Sequence, residues 1–232
     1  MKKIRITVCG AAGRMGGAVI AEIKKSAAAE LAGAVDISGD FSRPDNFPEL
    51  LEKSDAAIDF SSPASAVAFA RECAAAGVPF VCGVTGFTAE QTESLKKSAV
   101  RVPVFWSPNM SPAVNLSIAM CAFAAGRLPG FDIHIHETHH KAKKDIPSGT
   151  ALRCAAEIKE AAGIDVPITS ARIGDIAGVH SITFAGPHES IELVHRAYSR
   201  AVFAEGALRA CLWTVSRKAG FYTYGDLLGL KK

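Results

Sequence analysis

The stretch from His136 to Leu152, HETHHKAKKDIPSGTAL, sets three histidines, three lysines and one glutamate ahead of a Ser-Gly-Thr step that opens a helical pattern. A helix start carries free N–H groups and the positive end of the helix dipole. Ser148, Gly149 and Thr150 can therefore hold a carboxylate, with Lys143 and a histidine holding charge beside it. A histidine in that field can also give up a proton in a transition state. So much positive charge at one helix start points to a ligand carrying two negative charges. A metal site and a solvated basic loop are the competing readings. His134, His136, His139 and His140 lie within seven residues, dense enough for zinc. Adjacent residues of a strand point to opposite faces, however, and the neighbouring lysines repel a dication. No metal is expected.

A second chemistry lies at the beginning of the chain. Gly10, Gly13 and Gly16 in GAAGRMG follow an apolar run, IRITVC, and lead into a helical pattern. The spacing is G-x-x-G-x-x-G rather than the commoner G-x-G-x-x-G, but the logic is shared. The first glycine makes a tight turn, the second lets backbone amides approach a pyrophosphate, and the third lets the helix pack on the sheet. Asp36 closes the next strand, 20 residues beyond Gly16, where an acid reaches the adenosine ribose hydroxyls. Ile37 follows it rather than Arg, and a carboxylate repels a 2′-phosphate, although Arg14 is close by. NADH is therefore favoured over NADPH, without exclusivity. GVTGF (83–87) and WSPNM (106–110) end two later strands, the edge where open α/β sheets bind ligands.

These residues need a scaffold that periodicity supplies. Strands are expected at 4–9, 31–36, 56–60, 79–83 and 102–106, with helices at 18–29, 62–77 and 88–99 and a polar loop between 36 and 56 that holds one helical turn near 48–53. Thr88 and Gln91 form a capping-box pattern. This alternation means a parallel, doubly wound sheet. After residue 112 the rhythm changes. Helices at 113–127, 150–162 and 201–215 and strands at 131–138, 180–186 and 189–197 indicate an α+β half with a mixed or antiparallel sheet. The fold class is thus α/β: a Rossmann-like dinucleotide-binding domain (1–110 and 200–232) plus an α+β substrate-binding and oligomerisation domain (111–199).

Composition narrows the function. With 26 Lys and Arg against 23 Asp and Glu, the net charge of +3 is small for 232 residues. That excludes binding nucleic acid through bulk charge. No apolar run is long enough for a membrane span, and MKKIRITVCGAAG lacks the apolar core of a signal peptide. The six cysteines are scattered without a C-x-x-C pair and read as reduced core thiols of a cytoplasmic protein. His188 and His195 read as structural or surface residues.

Five stretches together, GAAGRMGG, GVTGF, PNMSPAVNL, ETHHKAKKDIPSGTA and HSITFAG with the later HRAYSRAVFAEGAL, resemble the dihydrodipicolinate reductase family along nearly the whole chain. The resemblance implies NADH- or NADPH-dependent reduction of a cyclic imine dicarboxylate, 4-hydroxy-tetrahydrodipicolinate, in lysine and diaminopimelate biosynthesis. It implies His139 as the acid and Lys143 as its assistant, with His140, Gly149 and Thr150 on substrate carboxylates. Cofactor contacts carry over to Gly10, Ala11, Ala12, Gly13, Arg14, Met15, Asp36, Gly83, Val84, Thr85, Ser107, Pro108, Asn109 and Met110. A homotetramer and hinges near 110–112 and 199–201 are also implied. A reductase of another small dicarboxylate and a non-catalytic NADH sensor are the alternatives. The chain departs from many relatives at Ile37, where they carry Arg, and at DFSSP (59–63), so neither arginine contact is carried over.

Overall fold

The computed structural model describes residues 2–230. In chain order the elements are β1 (Ile4–Cys9), α1 (Arg14–Lys25), β2 (Ala29–Val35), α2 (Phe47–Leu51), β3 (Ala56–Asp59), α3 (Pro63–Ala76), β4 (Phe80–Cys82), α4 (Ala89–Ser98), β5 (Pro103–Trp106), α5 (Pro112–Ala125), β6 (Asp132–His139), α6 (Gly149–Ala162), β7 (Ile168–Arg172), β8 (Gly178–Ala185), β9 (Ser190–Ala197), α7 (Ala201–Thr214), β10 (Gly220–Tyr222) and α8 (Tyr224–Leu227). They fall into two compact units, Met1–Ser111 with Ala201–Lys232, and Pro112–Arg200.

The first unit holds a six-stranded sheet in the order β10-β5-β4-β3-β1-β2, parallel at every neighbouring pair. A parallel sheet is covered on both faces, so its strands are mostly apolar. Ile6 and Val8 of β1 pack with Val19 and Ile23 of α1 and with Ala204 and Ala207 of α7. Cys9, Ala57 and Cys82 face the opposite layer, where Phe47, Phe69, Cys73 and Leu95 lie. The strand order reverses between β1 and β3, which opens a crevice at the strands' carboxyl ends.

One helix is displaced from its expected place. The pattern over 18–29 reads as helix because alanine favours it, yet α1 occupies Arg14–Lys25. Its N-terminus lies directly on the glycine turn. At the other end Ile4 N–H bonds Ala28 O at 2.9 Å, and Ala29 opens β2 opposite Ile4. Pairing with β1 outweighs alanine's helical preference. Three elements escape the pattern: β7, β10 and α8 are too short to show a period.

The second unit is a mixed sheet in the order β7-β6-β8-β9. β6 pairs parallel with β7 and antiparallel with β8, and β8 pairs antiparallel with β9. Val114 and Ile118 of α5 and Cys154 and Ile158 of α6 pack with Ile133, Ile135, Ile182 and Phe184 of the sheet. Inward residues of β6 alternate along the strand, which brings Ile133, Ile135, Glu137 and His139 to one face.

The first unit contains a close backbone approach. A Cβ on Gly206 of α7 would lie 1.7 Å from Met110 O and 2.7 Å from the Tyr224 hydroxyl. That hydroxyl donates to Met110 O at 2.7 Å or to Gly206 O at 2.8 Å. Only glycine fits. Gly206→Ala is expected to cost at least about 2 kcal/mol, read as a lower urea midpoint with unchanged slope.

Candidate active site

In the first unit, the turn after β1 is shaped for close approach. Gly10 has φ +75°, and a Cβ there would lie 2.7 Å from the Phe60 carbonyl carbon. A Cβ on Gly16 would lie 2.1 Å from Gly10 O. Gly16 therefore lets the helix close on its own turn, where packing on the sheet was expected. The amides of Gly10 and Ala11 both bond Val35 O, at 2.9 and 3.1 Å. Direct anion contact is thus left to the following turn of backbone. Gly13 is the α1 N-cap and offers no side-chain hydrogen bond, unlike Ser62, Thr88 and Ser148, which cap α3, α4 and α6. The first-turn amides at Arg14 and Met15 are where a phosphate would bind.

A cleft of about 420 Å³ adjoins this turn, lined by Gly10, Ala12, Gly13, Asp36, Ile37, Ser38 and the Phe60–Ser62 turn among others. Asp36 stands at its rim and accepts from Ala12 N–H at 3.0 Å and Ser38 N–H at 3.0 Å. Burial opposes its charge, but these donors prevail and hold its carboxyl below the usual range. These features fit a dinucleotide. A Cβ on Gly83 would enter the Phe60 ring at 2.2 Å, and Trp106 donates to Val84 O at 3.1 Å, so Gly83 and Val84 are held against the sheet while Thr85 is exposed. Ser107 donates to Asn109 O at 2.7 Å, Ser111 N–H bonds Asn109 Oδ1 at 2.9 Å, Met110 is buried and Pro108 exposed. Phe60, Ser61 and Ser62 were not expected to line the cleft. The strand order alone brings them there.

The second unit gathers a different set. Glu137 is fully buried. Its Oε1 accepts from Arg172 Nη2 at 2.7 Å and Ser148 N–H at 3.2 Å. Its Oε2 accepts from Arg172 Nη1 at 2.9 Å and pairs with His139 Nδ1. Burial works against the carboxylate, but Arg172, Ser170 and His139 overcome it and hold its pKa at about 2. For His139 the balance falls the other way. Burial pushes its pKa down, Glu137 raises it, and Lys143 and Arg172 lower it further, leaving it below the ordinary value.

His180 of β8 lies edge-on to His139, ring centres 5.1 Å apart, and His195 of β9 lies 6.1 Å beyond it. Ser148 Oγ accepts Ala151 N–H at 3.3 Å as N-cap of α6. Its own hydrogen is thus available to His180 Nε2 at 3.1 Å. Burial, with smaller contributions from His139 and His195, pushes the His180 pKa down to about 3, so the ring is neutral at physiological pH. His195 is a buried member of this row, and His188 is exposed.

Lys143 is not in direct contact with this cluster. It grips Asp145 at 2.7 and 2.8 Å. Lys143, first, and the Gly149 amide among others hold the Asp145 carboxyl below its usual range. The donors read as a substrate-carboxylate site therefore bind a carboxylate of the chain itself. Ser148 N–H is taken by Glu137. His140 is half-buried beyond the end of β6, with its carbonyl accepting from Lys143 N–H at 3.1 Å. His134 and His136 share Thr169 Oγ1, at 3.2 and 2.9 Å, away from Glu137. Among the described residues no group of His, Cys, Asp and Glu is arranged to hold a metal.

Glu137 and Arg172 had no assigned role in the sequence. An E-x-H pair on a strand is a usable signal, since both side chains share a face. Arg172 gives none, because it depends on β7 pairing His139 with Arg172. The linkage follows from the Glu137 shift. An unfolded glutamate titrates near 4.3, so the stabilisation is complete above about pH 5 and is lost as pH falls through about 2. Urea unfolding from pH 6 to pH 2 is expected to lose about 3 kcal/mol through this group. Arg172→Leu is expected to lose less over that range.

Comparison with known proteins accounts for both halves. Residues 4–110 match the family model "Dihydrodipicolinate reductase, N-terminus" and residues 113–228 match "Dihydrodipicolinate reductase, C-terminus". The 4-hydroxy-tetrahydrodipicolinate reductase of Myxococcus xanthus is 43% identical over 200 residues, covering 78% of this chain and 74% of its own length. That of Syntrophobacter fumaroxidans is 37% identical over 267 residues, covering 98% and 100%. The dipicolinate-bound dihydrodipicolinate reductase of Paenisporosarcina sp. TG-14 shares the fold, with a TM-score of 0.86 at 23% identity over 98% of this chain and 100% of that one. The chain therefore belongs to the dihydrodipicolinate reductase family of NAD(P)H-dependent oxidoreductases.

Proposed function

We propose that this protein reduces 4-hydroxy-tetrahydrodipicolinate to tetrahydrodipicolinate, with water lost, and that His139 supplies the proton. The observation that carries the reading is the His139–Glu137 pair beside donors that already bind a carboxylate. A reduced nicotinamide, when bound, supplies the hydride. Gly10 to Met15 and Asp36 would hold its dinucleotide, with the 83–85 and 107–110 turns at the same sheet edge.

The chain's own residues supply the remaining chemistry. His139 gives up its proton as hydride enters the ring; in the balance a C–H bond replaces the C–OH bond, the hydroxyl leaves as water and the C=N bond is kept. Lys143, His140 and the Gly149 and Thr150 amides neutralise the two carboxylates. Such pairing strengthens where water is excluded. Asp36 disfavours a 2′-phosphate by like charge, and exposed Ile37 offers no cation, which supports NADH as the preferred cofactor. The first unit is read as the cofactor domain and the second as the substrate and oligomerisation domain. Exposed Val194, on the face of β9 turned away from the core, supports a homotetramer built through that sheet. Six buried free thiols support a reducing, cytoplasmic setting.

The decisive assay is NADH and NADPH oxidation with freshly generated hydroxy-tetrahydrodipicolinate. Turnover blocked competitively by pyridine-2,6-dicarboxylate is expected, and no turnover would reject the reaction. His139→Gln is expected to lower kcat by roughly 10²–10⁴-fold with a smaller change in KM. Asp36→Ala should raise NADPH affinity relative to NADH. An unchanged ratio would remove Asp36 from the ribose.

A further inference from the structure

We propose that Glu137 is a positioning residue that dictates which nitrogen of His139 does the chemistry, holding Nδ1–H inward so that Nε2 carries the transferable proton. The inference rests on the proton-donor reading of His139 and says how that donor is prepared.

Three observations carry it. Glu137 Oε2 pairs with His139 Nδ1, and an ionised carboxylate can only accept, so Nδ1 must be the donor. The carboxylate cannot rotate away, because Arg172 takes both of its oxygens and Ser148 N–H takes Oε1 as well. The other ring nitrogen is left room by glycine. A Cβ built on Gly178 of β8 would lie 3.0 Å from His139 Nε2. The same carboxylate thus touches the proton donor, β7 and the N-cap of α6. The donor and the helix cap are referred to one point.

The proton balance is simple. The Nε2–H bond of the imidazolium breaks and its proton passes to the substrate. The ring stays neutral with Nδ1–H still on Glu137, and solvent restores the Nε2 proton. Around His139 lie Glu137 on its own strand, Lys143 on the following loop, Arg172 on β7, His180 on β8 and, beyond it, His195 on β9. Of these, Glu137 alone favours the imidazolium; burial and the two cations oppose it. Removing the negative charge should therefore move the loss of activity at rising pH to lower pH.

The test uses the intact enzyme with cofactor and substrate. Glu137→Gln is expected to lower kcat about 10²-fold, to change KM less than threefold and to shift the alkaline limb of kcat at least one pH unit downward. Gly178→Ala, which leaves the Glu137 contacts in place, is expected to lower kcat by crowding Nε2. Side-chain ¹⁵N shifts of His139 in the wild-type protein, assigned by difference from His139→Gln, should show the neutral ring protonated on Nδ1. This measurement decides the matter even if Glu137→Gln does not fold. A neutral ring protonated on Nε2, or a Glu137→Gln enzyme with wild-type kcat and pH limb, overturns the inference. Full turnover in His139→Gln overturns the proton-donor reading as well; loss of turnover there with normal Glu137→Gln overturns the inference alone.

Discussion

A carboxylate removed from water costs several kcal/mol unless its lone pairs are met. Glu137 is such a group, and the local order of the second unit is arranged around meeting its needs. Arg172 can reach it only if β7 lies parallel to β6 in the observed register. Ser148 N–H reaches it only if the loop after β6 returns α6 to the same sheet end. The strand, its neighbour and the helix start are thereby tied through one anion. That is a strong constraint on local shape from a single residue.

The first unit solves the opposite problem. There the need is for unmet donors facing an open cleft. Gly10 and Ala11 spend their amides on β2 and so hold the turn firm, while Gly13 caps α1 without a side chain that would compete for the helix start. Other helices close their own ends with Ser62, Thr88 and Ser148. A helix that does not is poised for an external anion. One unit buries and satisfies a charge, and the other leaves a partial charge open.

The doubly wound half was legible because its signals are local: apolar runs, glycine turns and caps such as Thr88 with Gln91. The Ala18–Ala29 helix misplaced itself because propensity is local too, whereas the pairing of Ala29 with Ile4 is not. The charged stretch at 136–152 stood out by its residue types, and the family resemblance singled out His139 and Lys143 within it. Arg172 did not, since it sits on β7, a strand too short to announce itself, and its partner Glu137 lies 35 residues away. His195 read as structural or surface, and the β8–β9 register, which sets it opposite His180, makes it a buried member of the histidine row.

Lys143 and the Gly149 amide are already engaged by Asp145. In the proposed reaction the ligand's carboxylate does not arrive at bare cations but displaces a tethered rival. Association is then an exchange of like for like, in which the gain from each new ion pair is reduced by the pair it replaces. Such a site discriminates by shape and by the number of carboxylates offered rather than by charge alone, so a monoanion of similar size gains little against the resident aspartate. In the same reading the departing anion leaves behind a replacement within reach, since Asp145 is tethered two residues from Lys143.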